Sequence, residues 1–192
     1  MPPKITVKPP VPKTAAEIAK PLSLSPAALA LLTPASMVRT YFEALATNPE
    51  LAEDAAKFLA GALPKREAVW WGLCGLKETL KAPLPEPQAK ALAEVEKWVR
   101  SPTETQRKAV AQVAEVAGRD NPAGCLASAA AFSGGSLAPP RQAVVKPPEH
   151  LTAIFLAVAL NVAAVLDPAK TAAHRARFLE LGKLVAAGQL KW

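Results

Sequence analysis

Six times along this 192-residue chain a small polar side chain able to cap a helix stands immediately before proline: Ser25-Pro26, Thr33-Pro34, Asn48-Pro49, Ser101-Pro102, Asn121-Pro122 and Asp167-Pro168. The capping oxygen accepts one of the orphan backbone N–H groups of a first helical turn. Proline in the next position loses no hydrogen bond there and has its φ already near the helical value. Each pair therefore predicts a helix start. No stretch alternates apolar and polar residues over a strand's length, apart from Ile5-Thr6-Val7. No sheet is expected, and the absence of internal self-similarity argues for a bundle rather than a solenoid.

Apolar residues make up 51% of the chain but aromatics only 5%, so the core must be built from alanine, leucine and valine, which lets helix axes approach closely. A chain of this length buries about 70% of its unfolded surface as one domain. The prolines at 2, 3, 9, 10 and 12 resist helix formation, which predicts a flexible arm over residues 1–13 and a single helical domain over 14–192. Thr14-Ala-Ala-Glu17 and Ser101-Pro-Thr-Glu104 both have the form of a capping box. Helical spacing continues through Val38–Leu45, Leu51–Ala62, Val69–Leu80, Leu92–Val99, Val110–Ala117, Asn121 to about Phe132, Leu151–Leu166, and Asp167 to about Gly188. The expectation is an all-α compact bundle of seven to nine helices in antiparallel hairpins.

Reactive constellations are missing. His150 and His174 have neither a nucleophile nor a carboxylate at recognisable spacing, and read as a partly exposed cap and a core-edge side chain. Ser133-Gly-Gly-Ser136 follows a helix C-terminus, whereas phosphate loops precede a helix N-terminus, so it reads as a glycine C-cap and turn. Glu50, Glu53 and Asp54 share what reads as an exposed helical face, without the second carboxylate–histidine helix of a metal bundle. These observations predict no enzyme, cofactor or metal site. Cys74 and Cys125 lie far apart in apolar stretches, reading as buried free thiols of a reducing compartment. With no apolar leader near the start, the expected location is the cytoplasm.

Leu151–Leu166 is apolar but for Thr152 and Asn161; it is shorter than the ~20 residues of a membrane span. A buried core helix, with no membrane insertion, is expected. The net charge of +7 raises nucleic acid as a partner, but basic and acidic residues alternate along the helices, as in Glu86, Lys90, Glu94 and Lys97, which marks a solvated face. Nucleic-acid binding, through the basic arm, is an alternative reading.

Three features suit a protein partner. Gly72 and Gly75 interrupt the helix carrying Trp70 and Trp71; mid-helix glycine costs about 1 kcal/mol, which implies that another helix presses close. Trp70 and Trp71 point about 100° apart, so either both pack in the core, as tryptophan mostly does, or one enters the core while the other, taken as Trp71, faces a groove or partner. The connector Ser133–Pro148 is long and proline-stiffened, with Leu137, Pro139 and Pro140 at its centre. In the arm, Ile5 and Val7 can add as a strand to an exposed sheet edge.

Trp70-Trp-Gly-Leu73, Glu96-Lys-Trp-Val-Arg-Ser-Pro102, Ser133-Gly-Gly-Ser-Leu-Ala-Pro139, Pro147-Pro148 and Arg175-Ala-Arg-Phe-Leu-Glu-Leu-Gly182 resemble an uncharacterised bacterial all-helical family associated with type VI secretion loci. The resemblance covers the chain after about residue 35 and implies a secretion or assembly machine; it assigns no functional residue. The expected function is a non-catalytic adaptor, chaperone or structural component that binds another protein. The second alternative is a carrier of a small apolar ligand between the Trp70 helix and the Leu151–Leu166 helix.

Overall fold

The computed structural model describes residues 13–81, 83–138 and 141–192. Among these are ten α-helices, two 3-10 turns and no strand. Two short helices, α1 (Ala15–Ala19) and α2 (Pro26–Ala30), precede eight longer ones: α3 (Val38–Ala46), α4 (Ala52–Ala62), α5 (Lys65–Thr79), α6 (Glu86–Arg100), α7 (Glu104–Ala117), α8 (Pro122–Ala131), α9 (Leu151–Val165) and α10 (Thr171–Ala186). The chain is all-α, and no single helix among the described residues is long and apolar enough to cross a membrane.

The six cap–proline pairs behave in three ways. Ser25 and Asn121 cap α2 and α8 directly, their side-chain oxygens accepting from the amides of Ala28 and Gly124 at 3.1 and 2.9 Å. Asn48-Pro49 and Asp167-Pro168 each open a 3-10 turn that runs into α4 and α10, a common way for a helix to begin. The remaining two pairs correct the sequence reading. Thr33 closes a tight turn with Ser36, whose hydroxyl accepts from the Thr33 amide at 2.9 Å, and α3 begins four residues beyond Pro34 without a side-chain cap. At the start of α7 the cap is Thr103, which accepts from the Gln106 amide at 3.2 Å. Ser101 instead terminates α6, its amide bonded to the Lys97 carbonyl. The Thr14–Glu17 capping box forms with both of its hydrogen bonds.

The helix buried on every side is α8, all ten residues of which are buried. Alanine, glycine, cysteine and serine at most of its positions make a thin cylinder, and α5, α6, α7 and α9 pack around it. Its C-terminal end is closed by cations from neighbouring helices. Arg107 donates to the Ala131 carbonyl at 2.7 Å and Lys65 to that of Ser133 at 3.1 Å, matching the partial negative charge of a helix end. Gly135, at φ +73°, wraps closely around Arg107: a Cβ there would lie 2.2 Å from Nη2. The glycine cluster is thus a turn folded over the capping arginine.

Helix α5 sits where α8, α9 and α10 meet, and its glycines set the distances. A Cβ on Gly72 would stand 2.3 Å from Leu156 and 2.7 Å from Leu126; one on Gly75 would stand 3.0 Å from Phe178 and 3.1 Å from Leu160. The close approach expected at these glycines is present. Immediately before Gly72, Trp71 is fully buried and donates its indole N–H to the Phe178 carbonyl of α10 at 2.7 Å. One turn further along α10, Gly182 leaves room for the ring: a Cβ there would lie 2.9 Å from Trp71 and 2.5 Å from Leu59. Arg177 of α10 adds a bidentate grip on Glu78 of α5 at 2.7 and 2.9 Å, which holds the Glu78 carboxyl below its usual range. Helices α1 and α3 pack against α4, and the Ser25 amide at the start of α2 donates to Asp54 of α4.

Substituting Gly72→Ala forces a methyl into fully packed leucines and is expected to destabilise the protein by ~1–3 kcal/mol. Gly134→Ala, where nothing lies within 4 Å of the added Cβ, is expected to stay within ~0.5 kcal/mol. Urea denaturation of the two variants beside the parent protein checks both.

Candidate functional site

Helix α9, expected as a buried core helix, packs one face into the core and buries Thr152, Ala153, Leu156, Ala157, Ala159, Leu160, Ala163 and Ala164. The inward face is thus mainly alanine and leucine. With about 100° between successive residues, Leu151, Ile154, Val158, Val162 and Val165 fall within about 40° of one line on the opposite side, a stripe about 21 Å long. Val158 and Val165 are 41% and 48% exposed and the other three are half-buried. No charge interrupts the stripe, whereas the outward face of a helix in a water-facing bundle ordinarily carries polar residues.

Polar groups border the stripe on both flanks. On one side the Arg119 guanidinium lies 5.7 Å from the Phe132 ring and 5.6 Å from the Phe155 ring, which themselves pack 5.1 Å apart. On the other, Asn161 donates to Glu53 of α4 at 3.3 Å, and Glu53 also pairs with Arg175 of α10. Glu53 therefore ties three helices together, while neighbouring Asp54 is buried and accepts from the Ser25 amide at 2.9 Å. Of the acidic trio read as one exposed face, only Glu50 is exposed.

The residues nominated from sequence fare differently. Trp71 has no accessible surface, so its nomination as a partner-facing residue is corrected: the hydrogen bond to α10 places it in the core, and Trp70 is the half-buried one, donating to the Leu190 carbonyl at 3.3 Å. Leu137 is 49% exposed on the connector, where its amide bonds to the Val145 carbonyl at 2.8 Å. The Ser136 hydroxyl accepts from the amides of Ala138 and Val145, so this part of the connector folds back on itself. Ile5, Val7, Pro139 and Pro140 lie outside the described residues.

Between α5 and α9, where the alternative reading of a ligand carrier places an apolar pocket, Leu156 and Leu160 pack against the two glycines. Clefts occur elsewhere. One of about 630 Å³ lies between α1, the α4–α5 junction and the first turn of α9; another of about 570 Å³ lies beside the C-terminal ends of α5 and α9. His150 lines the first cleft and His174 the second. His174 also stacks on Phe178, with ring centroids 6.4 Å apart. Among the described residues, no three His, Cys, Asp or Glu side chains gather to hold a metal ion.

Both cysteines are free. Burial pushes the Cys74 thiol up to about 11 and also raises that of Cys125, whose sulfur donates to the Arg119 carbonyl.

Residues 41–186 match the model of a family of unknown function, DUF6931. The chain belongs to this family. No curated protein and no solved structure matches it.

Because the raised Cys74 pKa keeps the thiol protonated at neutral pH, and the thiolate is the reactive form, alkylation by iodoacetamide at pH 7.5 is expected to be at least about tenfold slower than for free cysteine. The rate should rise as pH climbs toward 11. Mass spectrometry of timed aliquots reads both cysteines separately.

Proposed function

We propose that this member of the family is a non-catalytic binding component that holds an acidic partner protein through a helix laid along the outer face of α9. The uncharged stripe Leu151, Ile154, Val158, Val162 and Val165 carries the reading. An apolar line of this kind accepts the apolar face of an amphipathic helix in a groove-like contact, and exposed contiguous apolar surface marks interaction sites. An apolar centre bordered by Arg119 and by the Glu53–Arg175 pair has the centre-and-rim arrangement of protein interfaces. The net charge of +7 favours an acidic partner over a second copy of this chain, since like-charged molecules repel and oppositely charged ones are steered together.

The role we propose is that of an adaptor, chaperone or structural component. A secretion or assembly machine is the proposed setting, supported by the sequence resemblance, and the cytoplasm is the proposed compartment, supported by two unpaired thiols in the manner of reducing environments. The exposed Leu137, Val144 and Val145 of the connector offer a secondary apolar surface.

A photo-crosslinking residue placed at Val158 in the native host is expected to trap an acidic protein that the same residue at exposed Lys108 does not. Val158→Asn with Val165→Asn is expected to weaken the reconstituted pair at least about tenfold, equivalent to about 1.4 kcal/mol, while circular dichroism stays unchanged. Equal trapping at both positions, or trapping of the chain by itself alone, would remove this surface from the account.

A further inference from the structure

We propose that Arg119 is the specificity-determining residue of the α9 face and selects a partner helix that carries a carboxylate, Asp or Glu, along the flank turned toward the α7–α8 junction. The assignment rests on the docking of a helix along α9 and adds which charge that helix must carry, and on which side.

Three contacts place Arg119. Gly118, at φ +76°, ends α7, and the Arg119 carbonyl that follows it accepts from the Cys125 thiol of α8 at 3.2 Å. The backbone is thereby tied to a fully buried helix. The guanidinium lies 5.7 Å from the Phe132 ring and 5.6 Å from the Phe155 ring, within the range at which a cation is drawn to an aromatic ring. Phe155 stands about 60° around α9 from Val158. The cation is therefore held beside the apolar stripe on the edge it shares with α8.

Most of its donors are uncommitted. A guanidinium offers five N–H groups, yet among the described residues this side chain makes one hydrogen bond, from Nη2 to Glu115 at 3.1 Å. The two side chains are 51% and 75% exposed, and a water-facing pair of this kind contributes little. A partner carboxylate can replace Glu115 at small cost. It would then be gripped by two N–H groups, a geometry that arginine offers and lysine does not. Arginine at the edge of a desolvated apolar contact is a recurrent interface hot spot.

The opposite border has no such opening. There Glu53 accepts from Asn161 and pairs with Arg175, so carboxylate and guanidinium answer each other. The two flanks thus differ in charge, and the partner is matched by a carboxylate toward Arg119 and uncharged residues toward Glu53.

Two synthetic amphipathic helical peptides test the proposal, sharing one leucine face at helical spacing and carrying glutamate along one flank in the first and glutamine in the second. Methyl NMR of the full chain is run at physiological ionic strength, where charges more than about 8 Å away are screened. Saturable shifts of the Val158 and Val165 methyls are expected with both peptides. The glutamate peptide is expected to bind at least about tenfold more tightly, equivalent to about 1.4 kcal/mol. Arg119→Gln is expected to remove most of that preference and Arg119→Lys at least about half of it, with circular dichroism unchanged. Glu115→Gln, which releases the guanidinium, is expected to enlarge it. Equal affinity of the two peptides, or a preference undiminished in Arg119→Gln, would overturn the role of Arg119 and leave the docking face standing. Absence of saturable shifts on α9 with either peptide would remove the docking face and this assignment with it.

Discussion

The Trp71 indole, donating to the Phe178 carbonyl and seated over Gly182, is the contact on which the arrangement of the other helices depends. It joins the central helix α5 to the last helix at one register, because the accepting Phe178 carbonyl and the Gly182 notch that admits the ring are one turn apart on α10. Fixing α5 in that place turns Gly72 and Gly75 toward Leu156, Leu126 and Leu160, so α8 and α9 are held at their closest approach. A shift of α5 by a single residue would rotate these glycines by about 100° and drive larger side chains into the same contacts.

This seating explains which side of α9 meets water. The close approach requires the small face of α9 inward, and alanine at 153, 157, 159, 163 and 164 supplies it. Valine at 158, 162 and 165 is left on the other side. A helix rich in alanine and valine has no polar face to turn outward, so packing alone selects the alanine side for the interior. The apolar outer stripe is therefore a consequence of how the core is built, and its polar borders are Arg119 in the turn between α7 and α8 and the Glu53–Arg175 pair of α4 and α10. One helix in this way has two unlike faces: an alanine and leucine face committed to the core and an uncharged valine stripe along its outer side.

Much of the fold was legible in the sequence because it was written in local terms. Ser25 and Asn121 cap the helices they precede, the Thr14–Glu17 box forms, and the cost of Gly72 and Gly75 is met by close helix contacts. Thr33 and Ser101 misled because a cap followed by proline also suits a turn or a helix end, and only the geometry of the following residues chooses. The site was less legible. Apolarity around the whole of α9 hid which face is covered, and the fully buried helix proved to be α8, whose alanines carry no amphipathic signal at all. Periodicity likewise gave no means to choose between Trp70 and Trp71, a choice made by the carbonyl of Phe178, 107 positions away. Asp54 reads from sequence as part of one exposed face with Glu50 and Glu53, but its partner is the backbone of Ser25 on another segment.

The outward orientation of the α9 valines, imposed by the seating of α5, is the central claim. Methyl-labelled NMR with a soluble paramagnetic agent measures it directly on the isolated protein. Strong broadening of the Val158 and Val165 methyls, with those of Leu156 and Leu160 protected, is the expected result; protected valines or exposed leucines would contradict the account.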